Sequence, residues 1–166
     1  MDKLQIQSLV RLALEEDIRT GDVTAALIPK NQVAQATIVA REDAVLCGTF
    51  IADEVFFQLD PVVSLNWEKR DAERITTDEV LCYLQGPARS LLTGERTALN
   101  FLQTLSGTST LAHQNAKKLE GLDTRILDTR KTSPGLRRAQ KYAVRCGGCH
   151  NHRLGLYDAF LIKENH

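Results

Sequence analysis

The sequence predicts a small mixed α+β unit that leads into parallel βα units. Before residue 87, alternating stretches rich in β-branched residues sit between segments of helical periodicity. After it, long helical stretches enclose two short apolar runs at residues 125–128 and 159–163. The composition, 43% hydrophobic and 25% charged over 166 residues, is that of a globular chain rather than a disordered or fibrous one.

Each element has its own signal. Leu4, Ile6, Leu9, Val10, Leu12, Ala13 and Leu14 recur at amphipathic-helix spacing up to about Glu16, and Gly21 sits at a natural turn. VAQATIVAR (33–41) reads as a strand, followed after Glu42-Asp43 by a second, AVLCG (44–48). TFIADEVFFQL (49–59) has helical spacing and stops at Asp60-Pro61, while VVSLNWEK (62–69) and EVLCYLQG (79–86) are again strand-like. A sheet of about four strands with helices on one face is the economical assembly.

Residues 88–107 read as a helix interrupted near Thr93-Gly94, with a second helix over 108–119. A buried-type strand at 125–128, a loop at 129–134, a basic helix at 135–146 and an apolar strand at 159–163 follow. Parallel strands need covering helices and neighbours on both sides. Two of them close neither a barrel nor a doubly wound sheet. The sequence therefore reads as part of a larger protein, or as one whose second half is supplied elsewhere.

The formal charge is zero, but it is unevenly spread. Residues 1–100 hold 16 acids and 10 bases, and residues 101–166 hold 5 acids and 11 bases. Between residues 129 and 153, Arg130, Lys131, Arg137, Arg138, Lys141, Arg145 and Arg153 face no acid, which implies an anionic partner or a solvated helix face. No apolar run is long enough to span a membrane, and the N-terminus lacks the basic start and apolar block of a secretory signal. A cytoplasmic protein with Cys47, Cys82, Cys146 and Cys149 reduced is expected.

Residues at the C-terminal ends of strands line the active face of βα architectures. The two candidate strands end in Asp128-Thr129-Arg130-Lys131 and Lys163-Glu164-Asn165-His166. Arg offers a planar fork to carboxylate or phosphate, and Lys a mobile point charge. Arg130 and Lys131 would diverge on an extended backbone; both reach one ligand only if the chain turns there, as Ser133-Pro134-Gly135 implies.

DTRKTSPGLRRAQKYAVRCGGCHNHRLGLYDAFLIKENH (128–166), GERTALNFLQTLSGTST (94–110) and GDVTAALIP (21–29) together resemble the quinolinate phosphoribosyltransferase family over almost the whole chain. That resemblance implies an α+β open sandwich N-terminal domain, residues 1–98, followed by the beginning of an α/β barrel, residues 99–166. It implies transfer of phosphoribosyl from phosphoribosyl pyrophosphate to quinolinate with decarboxylation, a step of NAD biosynthesis. A homodimer whose N-terminal domain caps the partner's barrel site is implied too. By the same resemblance Arg96 reaches quinolinate across the dimer, and Thr129, Arg130 and Lys131 are strand-end substrate contacts. His152 and Arg153 help hold the pyridine dicarboxylate, and Lys163 belongs to the same anion pocket. Lys131 and Lys163 are the candidate catalytic cations. Mg²⁺ would accompany the pyrophosphate, with its protein ligands among acids beyond His166; residues 1–166 alone are then not expected to be active unaided.

Three other readings compete. A relative of the same fold could act on another anion, as in the molybdenum-transport branch, although HNHR (150–153) argues against it. A nucleic-acid-binding module could use the basic stretch, but Tyr142 is the only aromatic there, and no nucleic-acid or membrane partner is expected. Cys146-Gly147-Gly148-Cys149-His150 has the C-x-x-C-H spacing of haem attachment, and with His152 it could hold zinc or form a redox dithiol. Met1 is the only methionine, so no axial partner is evident, and the family more commonly has glycine where Cys149 stands. Arg137, Arg138, Lys141 and Arg145 are expected to be mostly solvated or interfacial, and His113 chemically idle.

Overall fold

A computed structural model describes residues 2–164, so the last two residues of the LIKENH block lie outside the described residues. The chain starts with α1 (Lys3–Ile18), capped by Asp2, whose carboxylate accepts from the Gln5 amide at 2.9 Å. A sheet unit follows: β1 (Val33–Val39), β2 (Ala44–Val45), α2 (Thr49–Leu59), β3 (Ser64–Trp67), β4 (Arg74–Ile75) and β5 (Val80–Pro87). β5 is central, antiparallel to β1 and β3, and β2 pairs with β4 in a separate two-stranded ribbon. The expected single sheet of about four strands is therefore a three-stranded sheet plus a ribbon. The two-residue β4 carries no alternation that a sequence could reveal.

α3 (Ala88–Lys117) leaves β5 without a loop and spans 30 residues. The expected break at Thr93-Gly94 is absent. A Cβ at Gly94 would stand 2.6 Å from Phe56 Cε1 and 2.8 Å from Leu59 Cδ1, so this glycine lets α2 approach α3 and does not end the helix. The core lies where the sheet, α1, α2 and α3 meet, around Val10, Ile51, Val55, Phe56, Cys82, Ala98, Leu102 and Leu105.

α4 (Arg137–Cys146) packs its Ala139 and Ala143 against that body. Its C-terminal turn sits so close to α3 that a Cβ at Gly147 would lie 2.2 Å from the Ser109 carbonyl oxygen. Arg138 ties it to α1 through the Gln5 side chain at 2.9 Å. The two apolar runs do not become strands. Residues 125–128 contribute one parallel bridge, Leu127 with His150, and residues 159–163 stay irregular with Phe160 and Ile162 exposed. Parallel strands are stable only between neighbours, and among the described residues these segments have none beyond that bridge.

Candidate active site

The loop after residue 126 is held to the loop after residue 149 by a small parallel clamp. His150 donates its amide to the Ile126 carbonyl at 2.9 Å, and Asp128 donates its own to the His150 carbonyl at 3.0 Å. Because the two segments run in the same direction, residues 129–131 and 152–153 leave the clamp at the same end. Asp128 closes it. Its Oδ1 accepts from Lys141 Nζ and from the His152 amide (2.8 Å), and its Oδ2 accepts from Asn151 Nδ2 at 2.6 Å. Lys141 is 2% exposed and also donates to the His152 carbonyl at 3.0 Å; Asn151 donates to the Lys141 carbonyl at 2.8 Å.

Lys141 thus departs from the expectation for the basic helix. It is a buried structural cation, held by the Asp128 carboxylate and the His152 carbonyl. The sequence places Asp128 at a strand end and Lys141 in a basic helix, but no local pattern links the two as a pair.

The other expected residues fall into two groups. Thr129, Arg130 and Lys131 sit on a turn, with Thr129 Oγ1 accepting from the Lys131 amide at 3.0 Å, and the chain bends at Arg130. The turn anticipated from Ser133-Pro134-Gly135 therefore already begins here. Arg137 braces it by donating to Thr132 Oγ1 (3.1 Å) and to the Leu154 carbonyl (3.3 Å), which joins the two loops again. Arg130 is half-buried, and its Nε is buried with no acceptor among the described residues. An unsatisfied buried donor costs about 1–3 kcal/mol, a cost that an anionic oxygen would remove. His152 and Arg153 are half-buried, and Arg153 donates to the Ala159 carbonyl at 3.2 Å.

Arg96 lies exposed on α3, and Lys163 is exposed on the irregular segment rather than buried on a strand. A cavity of about 170 Å³ beside the clamp is lined by Arg138, Lys141, Tyr142, Arg145, Asn151 and Leu154. A larger one of about 520 Å³ opens between β1, the β2–β4 ribbon and α3. Neither is lined by Arg130, Lys131, Arg153 or Lys163, so the structure gathers 129–131 and 152–153 at one edge without closing a shared pocket around all four cations. The basic stretch is also not one free surface, since Lys141, Arg137 and Arg138 are engaged within the chain.

The C-x-x-C-H cysteines separate. Cys149 is buried and donates to the Ala112 carbonyl at 3.3 Å, while Cys146 turns toward Cys47, Asp71 and Tyr142. Among the described residues, Cys149, His150 and His152 form no metal-ligand group. The neighbouring Cys47 thiol holds the Cys146 pKa below the usual thiol value, whereas that of Cys47 itself is raised. Burial pushes Cys82 up to about 12 and also raises Cys149. Asp128 does not suit Mg²⁺ either, because the Lys141 ammonium already neutralises its charge.

An α+β unit joined through one long helix to a braced, cation-bearing segment makes this a two-part α+β protein. Comparison gives the family. The family model described as quinolinate phosphoribosyl transferase, N-terminal domain, matches residues 22–106, and the C-terminal domain model matches residues 108–166. The chain belongs to the quinolinate phosphoribosyltransferase family. It is 44% identical over 166 residues to the probable nicotinate-nucleotide pyrophosphorylase [carboxylating] of Bacillus subtilis, covering 100% of this chain and 57% of that protein. It is 40% identical to the chloroplastic rice (Oryza sativa) enzyme of the same name, covering 97% of this chain and 43% of that one. The solved nicotinate-nucleotide pyrophosphorylase from Francisella tularensis superposes with a TM-score of 0.97 at 48% identity, over 100% of this chain and 60% of that one. NadC from Streptococcus pyogenes gives 0.96 at 37% identity, with 100% and 59% covered. The fold is thus the α+β N-terminal domain and the first portion of the barrel, and the chain spans roughly half the length of these curated relatives. The two family models meet inside the unbroken α3.

Proposed function

We propose that this chain supplies the quinolinate-facing portion of an enzyme that transfers phosphoribosyl from phosphoribosyl pyrophosphate to quinolinate, with loss of carbon dioxide. The parallel clamp supports the reading, since residues 129–131 and 152–153 leave it at the same end. Quinolinate brings two carboxylates and the donor a 5′-phosphate and a pyrophosphate, so their encounter is opposed by like charge. Fixed cations offset that repulsion. Arg130 and Arg153 grip carboxylates as forks, Lys163 adds a point charge to the same anion pocket, and Lys131 offers another to substrate oxygens. Held in line, the pyridine nitrogen attacks the anomeric carbon and pyrophosphate leaves. The alkylated nitrogen carries four bonds and a formal positive charge, so the cationic ring stabilises the electron pair left on carbon when carbon dioxide departs, and a solvent proton then completes that C–H bond. No protein nucleophile is required.

Mg²⁺ is proposed to travel with the pyrophosphate rather than on a carboxylate of this chain. A homodimer is proposed as well, in which exposed Arg96 on α3 reaches the partner's site. Domain limits of 1–98 and 99–166 and a cytoplasmic setting belong to the same reading; no helix among the described residues is long and apolar enough to cross a membrane. The test is turnover by the full-length protein supplied with quinolinate, the phosphoribosyl donor and Mg²⁺, reading carbon dioxide release and nicotinate mononucleotide. Losing one charged hydrogen bond costs about 1.5–3 kcal/mol, so Arg130→Ala and Arg153→Ala should each lower kcat/KM by about 10–150-fold. Absence of turnover, or full activity in both variants, would reject the assignment.

A further inference from the structure

The geometry points to a thiophilic cation site, suited to Zn²⁺, made by Cys47 Sγ, Cys146 Sγ and the Asp71 carboxylate. The three ligand atoms lie within 4.8 Å of one another and come from three separate places: the turn before α2, the turn between β3 and β4, and the last residue of α4. Zn–S bonds of about 2.3 Å and Zn–O bonds of about 2.0–2.2 Å put tetrahedral ligands roughly 3.5–3.8 Å apart, so a closure of at most about 1.3 Å is enough. Two sulfurs and one carboxylate select zinc-like ions over Mg²⁺ or Ca²⁺, which prefer oxygen alone.

The supporting contacts are already built. Asp71 Oδ1 accepts from the Gly48 and Thr49 amides at 3.0 Å each, and Oδ2 accepts from the Tyr142 hydroxyl at 2.9 Å, which fixes the carboxylate plane. The Cys47 amide is anchored on Ser106 Oγ at 3.0 Å. Cys47 is fully buried, whereas Cys146 and Asp71 are half-buried, so an ion enters from their side and keeps a solvent molecule as fourth ligand. Gly48 has φ +105° in this turn, a backbone that holds Cys47 and the two amides together at little cost only for glycine. Among the described residues no ion pair engages Asp71, so its charge remains available to a cation. Each thiol loses its proton on binding, so uptake weakens as pH falls. The bound ion would staple α4 to the sheet unit, away from the Asp128 clamp.

The reduced, metal-free protein is titrated with Zn²⁺ against a chromophoric chelator and, separately, with Co²⁺. One equivalent bound below micromolar concentration, with two-thiolate charge-transfer absorption for Co²⁺, is the expected result. Cys146→Ser should weaken binding by about a hundredfold or more and Asp71→Asn by at least about tenfold, while Cys149→Ser binds as the parent does. Circular dichroism verifies that these variants fold, and the parent's Co²⁺ spectrum tests the thiolate ligation without any variant. No uptake at micromolar metal, undiminished binding by Cys146→Ser, loss of binding in Cys149→Ser, or a Cys47–Cys146 disulfide in protein alkylated directly from cells would each overturn the site.

Discussion

Replacing Asp128 by alanine should unfold this chain at markedly lower urea, for reasons that can be worked through. The substitution leaves Lys141, 2% exposed, with one remaining acceptor, the His152 carbonyl, leaves Asn151 Nδ2 with only the Lys141 carbonyl, and strands the His152 amide. Removing one member of a buried ion pair costs about 3–5 kcal/mol, a large share of the 5–15 kcal/mol that holds a typical domain together. With a urea m-value of about 2 kcal/mol/M for a chain of this size, the midpoint should fall by roughly 1.5–2.5 M. The double variant Asp128→Asn with Lys141→Met removes both charges and should recover at least about half of that loss, because an uncharged pair leaves no buried ion. The exposed pair Arg11–Glu15 serves as the control, with its side chains 63% and 58% exposed; Arg11→Ala should cost less than about 0.5 kcal/mol. Equilibrium unfolding followed by circular dichroism measures all four proteins. A loss below about 1 kcal/mol for Asp128→Ala, or a double variant no better than Asp128→Ala, would refute the clamp as a source of stability.

Gly94→Ala and Gly107→Ala should move stability in opposite directions, as thermal unfolding will register. The first places a Cβ 2.6 Å from Phe56 and should cost about 1–3 kcal/mol; the second meets nothing within 4 Å and should gain about 0.5–1 kcal/mol from helix propensity. Asp22 accepts from the Ala25 and Thr24 amides and from Thr93, which holds its carboxyl below the usual 3.8. Its contribution is therefore complete above that value and lost as pH falls through the depressed one, and acid unfolding of Asp22→Asn should lack this component. In metal-free reduced protein, Cys146 should alkylate first and at a pH below the ordinary thiol range, while Cys82, pushed up to about 12, stays unmodified until unfolding; peptide mapping after a timed quench decides.

Much of the first hundred residues was legible because their periodicities are local. α1, α2, β1, β3 and β5 fall where apolar spacing and β-branched content put them, within a few residues. The errors share a cause. Gly94 reads as a break from sequence because glycine is a poor helix former, and only the presence of Phe56 across the interface reveals why it is there. The runs at 125–128 and 159–163 have strand composition, yet a parallel strand exists only by pairing, and its partners are not encoded nearby.

The motif residues tell the same story at the level of the site. GERTALN, DTRKT, HNHR and LIKENH together pointed to the family by resemblance, since the identity and order of residues are properties of the chain alone. Tertiary structure decided which cations stay available. It buried Lys141 against Asp128, brought 129–131 and 152–153 to one edge, and set Cys146 rather than Cys149 beside Cys47 and Asp71. Those outcomes depend on contacts between residues up to about a hundred positions apart, whose strength comes from burial and geometry, and neither quantity is defined until the chain has folded.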